Sequence, residues 1–165
     1  RATLVIPIKI KAKEKPSGIS SHNPSGLSRV LSSQHVKHSI GQDSRPIRVL
    51  LADDHPMLRK GLRSVLDQYT DIEVVGEAAD GEQAVTLARS LRPEIIVMDV
   101  SMPKLDGVKA TTQILEEQPN IAVIGLSVHN SSQVEQSMKE AGAALFLTKE
   151  LAVERLYEAI VAARN

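Results

Sequence analysis

The sequence predicts an α/β fold: a five-stranded parallel sheet in the order 2-1-3-4-5 with helices on both faces. Three observations predict it. From residue 47 onward, short β-branched apolar runs alternate five times with stretches of helical periodicity. The central run, Ile95-Ile96-Val97-Met98, is apolar on both faces, as in a strand covered from both sides. Four of them run directly into Asp, Ser or Lys, at the carboxyl ends where open α/β sheets place their chemistry. Right-handed crossovers leave few strand orders, and 2-1-3-4-5 is the one favoured for five strands.

The first strand is Ile47-Arg48-Val49-Leu50-Leu51-Ala52, ending at Asp53-Asp54. Pro56 starts a helix at the turn where its missing N–H costs least, with Leu58, Leu62, Val65, Leu66 and Tyr69 on one face. Residues 72–76 form the second strand. Asp80 caps the second helix with Gln83 three residues on, a capping-box spacing, and Ala84, Leu87, Ala88 and Leu91 face inward. Ile95-Ile96-Val97-Met98 runs into Asp99 as the central strand, between Arg92-Pro93 and the turn at Pro103. Asp106-Gly107 opens a third helix with Val108, Thr111, Ile114 and Leu115 inward. Residues 121–126 are the fourth strand, ending at Ser127. The fourth helix, about 131–141, is thin in large apolar residues (Val134 and Met138, with Ala141) and stops at Gly142. Residues 144–148 are the fifth strand, ending at Lys149, and Val153, Leu156, Tyr157, Ile160 and Val161 face inward from the last helix.

The residues before this pattern differ. Residues 1–10 read as a strand with Pro7 near its end, whose partners belong to a preceding domain. Residues 11–45, rich in Ser, Pro, Gly and Lys, have linker composition. His22, His35 and His38 lie there without Cys or carboxylate neighbours, and read as solvated linker residues rather than metal ligands. The first residue is Arg1, not Met, so a piece of a longer chain is expected.

Composition narrows the function. The 165 residues hold 20 Lys+Arg and 20 Asp+Glu, a formal net charge of zero, so no nucleic-acid footprint is expected. There is no Cys, which excludes disulfides and thiolate metal sites and suits a reducing compartment. No apolar run reaches the length of a membrane span and no signal peptide is visible, so this segment is expected in the cytoplasm without membrane contact, even if its parent chain is anchored.

In the favoured order the strand ends gather Asp53, Asp54, Asp99, Ser127 and Lys149 on one edge. Two unit charges about 5 Å apart repel by roughly 3 kcal/mol at an effective dielectric near 20. A hard divalent cation, Mg²⁺ with Mn²⁺ able to replace it, relieves such a trio of carboxylates. His55 and His129 flank the rim without a nucleophile to activate, and both read as loop residues. A carboxylate can itself attack phosphorus. Asp99 would attack, and Lys149 and the Ser127 hydroxyl would hold the transferred oxygens.

Residues 47–162 resemble the receiver domain of two-component response regulators, a flavodoxin-like fold. The resemblance rests on Leu50-Leu51-Ala52-Asp53-Asp54-His55-Pro56, on residues 98–107 around Asp99, on Leu126-Ser127-Val128-His129, and on residues 141–149 ending Leu147-Thr148-Lys149. It implies that residues 46–165 are a receiver and that Asp99 accepts phosphate from phosphohistidine. The donor would be a histidine-kinase dimerisation domain or a histidine phosphotransfer protein. It implies that Asp54, Asp99 and the Ser101 backbone carbonyl bind Mg²⁺ directly and Asp53 largely through water. Ser127 becomes the switch hydroxyl, Lys149 pairs with the phosphate, and Phe146 stands where the family usually has a rotating aromatic. Ser101 and His129 occupy positions that tune loss of the phosphate. The fourth helix, fifth strand and fifth helix form the output face. Residues 1–10 resemble the last strand of a histidine-kinase ATP-binding domain, so the expected parent is a hybrid sensor kinase. Two alternatives stay open: a metal-dependent phosphohydrolase working through an aspartyl phosphate, and a receiver-like scaffold that is never phosphorylated.

Overall fold

The structure, a computed structural model, describes residues 45–129 and 131–164. The strand expected at 1–10 and the linker expected over 11–45 (Arg45 apart), with His22, His35 and His38, lie outside the described residues. Five strands and five helices alternate: β1 (Ile47–Ala52), α1 (Pro56–Leu66), β2 (Ile72–Ala78), α2 (Gly81–Leu91), β3 (Ile95–Asp99), α3 (Gly107–Glu117), β4 (Ala122–Ser127), α4 (Ser132–Glu140), β5 (Leu145–Thr148) and α5 (Lys149–Arg164). The sheet is parallel throughout, in the order β2-β1-β3-β4-β5, as predicted.

The alternation of side chains along each strand divides the core in two. Val49, Leu51, Ile95, Val97, Ile124 and Leu126 point to one face, where α1 and α5 cover them with Leu62, Leu66, Leu156 and Ile160. Leu50, Ala52, Ile96, Met98 and Val123 point to the other, under Ala84, Val85 and Ala88 of α2, Ala110 and Ile114 of α3, and Met138 of α4. The unbroken apolar runs in the sequence are therefore two interleaved stripes.

The element ends follow local chemistry. Asp80 Oδ1 accepts from the Gln83 amide at 2.8 Å, while Gln83 Oε1 accepts from the Ala79 amide, one residue outside the usual capping box. Asp106 Oδ1 accepts from the Lys109 amide at 2.9 Å and so caps α3. Gly142, at φ +99°, closes α4 in a conformation glycine adopts without strain.

Four expectations need correction. β2 runs to Ala78, beyond the expected end at Gly76, because a register shift after Val49 lets Leu51 and Ala52 pair with Glu77 and Ala78. Tyr69 lies past the end of α1 and stacks on Tyr157 of α5, ring centroids 3.9 Å apart. Val85 of α2, absent from the expected inward face, is buried. Val153 is 49% exposed, because the buried stripe of α5 runs through Ala152, Leu156, Ala159 and Ile160.

Candidate functional site

Strand register brings the charges to one point. Ala52 lies opposite Met98, so Asp53 leaves β1 beside Asp99 at the end of β3. Asp99 lies opposite Leu126 of β4, and Ser127 is the next residue out. Ser127 in turn pairs with Thr148 of β5, and Lys149 follows. α3 begins tightly against this edge. The Gly107 amide donates to the Val100 carbonyl at 2.9 Å, and a Cβ on Gly107 would overlap the Asp99 carbonyl.

Lys149 is the hub. Its Nζ lies 2.7 Å from Asp99 Oδ2 and 2.8 Å from Asp53 Oδ2, with the side chain 11% exposed. Burial pulls its ammonium down, but the bonds to Asp53 and Asp99 outweigh this and hold its pKa above the ordinary lysine value. Asp99 goes the other way. Burial pushes its carboxyl up, and the bond from Lys149 and the Ser101 amide, 3.1 Å from Oδ1, only partly offset this, with the Asp53 charge adding to the rise. Asp99 is thus buried, and as an anion it is under-compensated.

Asp53 is buried to the same degree. Its Oδ1 accepts from the His55 amide at 2.8 Å and lies 3.2 Å from His55 Nδ1. Its carbonyl accepts from Arg59 Nη1, and Arg59 Nε is held by Glu77 at 3.2 Å. Asp54 is half-buried, with Oδ1 2.7 Å from His55 Nδ1. His55, expected only to flank the rim, therefore belongs to the cluster. Asp53, Asp54, His55 and Asp99 each offer a ligand atom, all within 4.8 Å of one another. The signal that could have found it is its place: it directly follows the acidic pair, at the N-cap of α1.

A dication fits this donor set. Asp53 Oδ2 and Asp54 Oδ1 are buried and accept no aligned hydrogen bond. Among the described residues, one ammonium and one imidazole ring lie against the three carboxylates. Oxygen-rich, net-negative and partly open pockets suit a hard cation such as Mg²⁺.

The remaining candidates lie around this cluster. Ser127 is buried and its Oγ accepts from the His129 amide at 3.3 Å, while His129 itself is exposed. Ser101 is exposed and engages Asp99 through its amide. Phe146 is half-buried on β5, packed with the core under α4, where its ring and Met138 occupy the space beside Gly125. Sequence reading did not find the clasp beside the site, where Lys104 Nζ lies 2.6 Å from Asp80 Oδ2 and ties the loop after β3 to the N-terminus of α2. No helix among the described residues is long and apolar enough to cross a membrane.

The arrangement offers a buried nucleophilic carboxylate, a cation pocket and an ammonium on one edge. Known proteins resemble the chain over the span that carries it. The family model for the response regulator receiver domain matches residues 49–161. Response regulator GacA of Pseudomonas aeruginosa is 38% identical over 114 residues, covering 69% of this chain and 53% of that protein. The uncharacterised transcriptional regulatory protein YxjL of Bacillus subtilis is 39% identical over 117 residues, covering 71% of this chain and 54% of its own. The chain thus spans about half the length of these curated relatives. Among solved structures, the response regulator domain of Thermotoga maritima CheB superposes with a TM-score of 0.69 at 33% identity, covering 73% of this chain and 98% of that one. With the strand order and the matched span in agreement, this chain belongs to the response regulator receiver domain family.

Proposed function

We propose that residues 46–165 act as the phosphoacceptor of a two-component phosphorelay, with Asp99 as the residue phosphorylated. The observation that carries this reading is the buried Asp99 carboxylate facing Lys149, with the Asp53 and Asp54 carboxylates gathered beside it. The donor is a phosphohistidine on a histidine-kinase dimerisation domain or a histidine phosphotransfer protein. An Asp99 oxygen attacks phosphorus, the P–N bond breaks, and the leaving imidazole keeps the electron pair. Mg²⁺ bound by Asp54, Asp99 and the Ser101 carbonyl, with Asp53 acting through water, would neutralise charge on the transferring group. Lys149, already charged and fixed in the pocket, exchanges part of its contact with Asp53 and Asp99 for a phosphoryl oxygen. The Ser127 hydroxyl gives a second hydrogen bond to that group. This draws the loop after β4 inward and carries Phe146 and α4 with it. Ser101 and His129 stand beside the group and set how readily water reaches it. α4 is short, with Met138 its one buried residue, so moving it costs little, and α4, β5 and α5 are the face proposed to change.

The parent chain proposed with this domain is a hybrid sensor kinase, on the strength of residues 1–10 and the linker composition behind them. The relatives favour a second reading, since those with printed names are response or transcriptional regulators. The encoded sequence flanking residues 1–165 separates the two. Phosphorylation itself is tested by incubating the chain with Mg²⁺ and acetyl phosphate and measuring intact mass. A single phosphate adduct, absent in Asp99→Ala and without Mg²⁺, is the expected result. Multiple-turnover hydrolysis of a small phosphate ester without an adduct would instead identify a phosphohydrolase.

A further inference from the structure

The loop between β3 and α3 is held at its base and at its crown by different means. At the base the Val100 amide donates to the Leu126 carbonyl and the Gly107 amide to the Val100 carbonyl, each at 2.9 Å. Met102 is buried in the core beside them. Within the crown the Leu105 amide donates to the Pro103 carbonyl at 2.8 Å. Between these two residues Lys104 takes φ +64°, a left-handed setting that a long side chain adopts at a cost and keeps only where its surroundings hold it. The surroundings here are the N-terminus of α2. The Lys104 ammonium lies 2.6 Å from Asp80 Oδ2, while Asp80 Oδ1 caps α2 through the Gln83 amide. The Leu105 carbonyl rests on Gly81, where a Cβ would overlap it. Between base and crown lies Ser101, whose amide donates to Asp99 Oδ1 at 3.1 Å.

We propose that Asp80 and Lys104 are a positioning pair for the phosphoacceptor: by pinning the crown of this loop to α2 they keep Ser101 against Asp99, and so slow the loss of the phosphoryl group to water. The inference rests on the phosphoacceptor reading and adds what regulates the lifetime of its product. In that loss a water oxygen bonds to phosphorus and the bond from phosphorus to the Asp99 oxygen breaks. The Asp99 carboxylate leaves with the electron pair, and the protons of the water pass to phosphate and solvent. Ser101 stands beside the path of that water, so a loop free to shift uncovers the path and a pinned loop does not. Both residues act through the loop rather than on the reacting atoms. The Lys104 side chain is 60% exposed and that of Asp80 11%, so the link is strong in geometry but open to solvent on one side. Its contribution is therefore modest and falls with salt.

The test uses the full chain as wild type, Lys104→Met, Asp80→Asn, the double variant and Lys104→Arg. Met keeps the reach of the side chain without its charge, and Asn keeps a cap on α2. The chain is phosphorylated with acetyl phosphate and Mg²⁺, the donor is removed, and intact mass follows the adduct. Its half-life is expected to shorten about threefold in each single variant and no further in the double variant, because the two groups act as one link. Lys104→Arg is expected to return it to within about 1.5-fold of wild type. About 0.5 M NaCl is expected to shorten it in wild type and to leave Lys104→Met unchanged. In chelator, with neither metal nor phosphate present, amide hydrogen exchange over residues 101–105 is expected to quicken about threefold in the charge-removing variants, with β3 unaffected. An unchanged half-life, unchanged exchange, additive losses in the double variant, an equal response to salt or a failure of Lys104→Arg to rescue overturns the pair. An adduct missing from wild type overturns the phosphoacceptor reading instead, and the exchange measurement alone then decides whether the pair positions the loop.

Discussion

Lys149 stands between two carboxylates that are almost wholly buried, and its ammonium is within 3 Å of an oxygen of each. Breaking a buried pair by removing one partner leaves uncompensated charge, a loss of about 3 kcal/mol. Lys149→Met should therefore be destabilised by about that amount in urea unfolding with chelator present, and should form no phosphate adduct. Thr111 poses the opposite case. Its hydroxyl is buried in α3 with no hydrogen-bond partner. Replacing it with an apolar group of the same shape removes a desolvation cost, so Thr111→Val should raise unfolding free energy by about 1 kcal/mol. Asp80 gives a pH dependence with a definite sign. The hydrogen bond from Lys104, and then the Gln83 amide, hold its carboxyl below the ordinary value of 3.8. Such a group adds stability above its unfolded pKa and loses it as pH falls through the folded one. Between pH 5.5 and pH 3 the wild type should lose more stability than Asp80→Asn, which keeps a capping side chain but not the charge. Equal losses in parallel urea titrations would remove the clasp from the account.

Among the elements, α4 is the one least anchored, and Gly125 is what lets it sit down. A Cβ there would lie 2.8 Å from Met138 Cε and 3.0 Å from Phe146 Cδ2. Gly125→Ala should push Met138 outward, lowering stability by about 1–3 kcal/mol and speeding hydrogen exchange in residues 132–140 before other helices respond. The thinness of α4 was legible beforehand, since Met138 is its single large buried residue. The strands were equally legible, because a sheet covered on both sides demands runs such as Val49-Leu50-Leu51 and Ile95-Ile96-Val97. Their ends carried the site for the same reason: parallel order converts sequence positions such as Asp53, Asp99 and Lys149 into one edge. What escaped depends on orientation rather than on spacing. The buried stripe of α5 uses Ala152 and Ala159, small residues that periodicity weighs lightly, so the sequence pattern places Val153 inward. His55 and Lys104 are recruited by rotamer and turn conformation. Lys104 sits at φ +64°, a setting no residue pattern announces.

At the scale of the whole domain, the site sets stability against function. Three acidic side chains converge where the sheet brings four strand ends together, and the Lys149 ammonium is placed against them, with the His55 ring beside Asp53 and Asp54. The raised pKa of Asp99 has a sign that matters. An acid whose folded pKa lies above its unfolded value opposes folding wherever it is ionised, which includes neutral pH. Asp99→Asn removes that charge and leaves Lys149 paired with Asp53. In chelator at neutral pH the variant should therefore unfold at higher urea than wild type, a gain of about 1 kcal/mol or more. Adding a dication should reverse the ranking. An ion held by the native state alone at one hundred times its dissociation constant stabilises by about 2.7 kcal/mol. Wild type should gain this and Asp99→Asn little of it, because one of its donors is gone. The crossing of the two stability curves with metal concentration is the observable. Should Asp99→Asn prove weaker than wild type without metal, the charge at Asp99 would be a support of the fold, not a cost kept for a cation and a phosphoryl group.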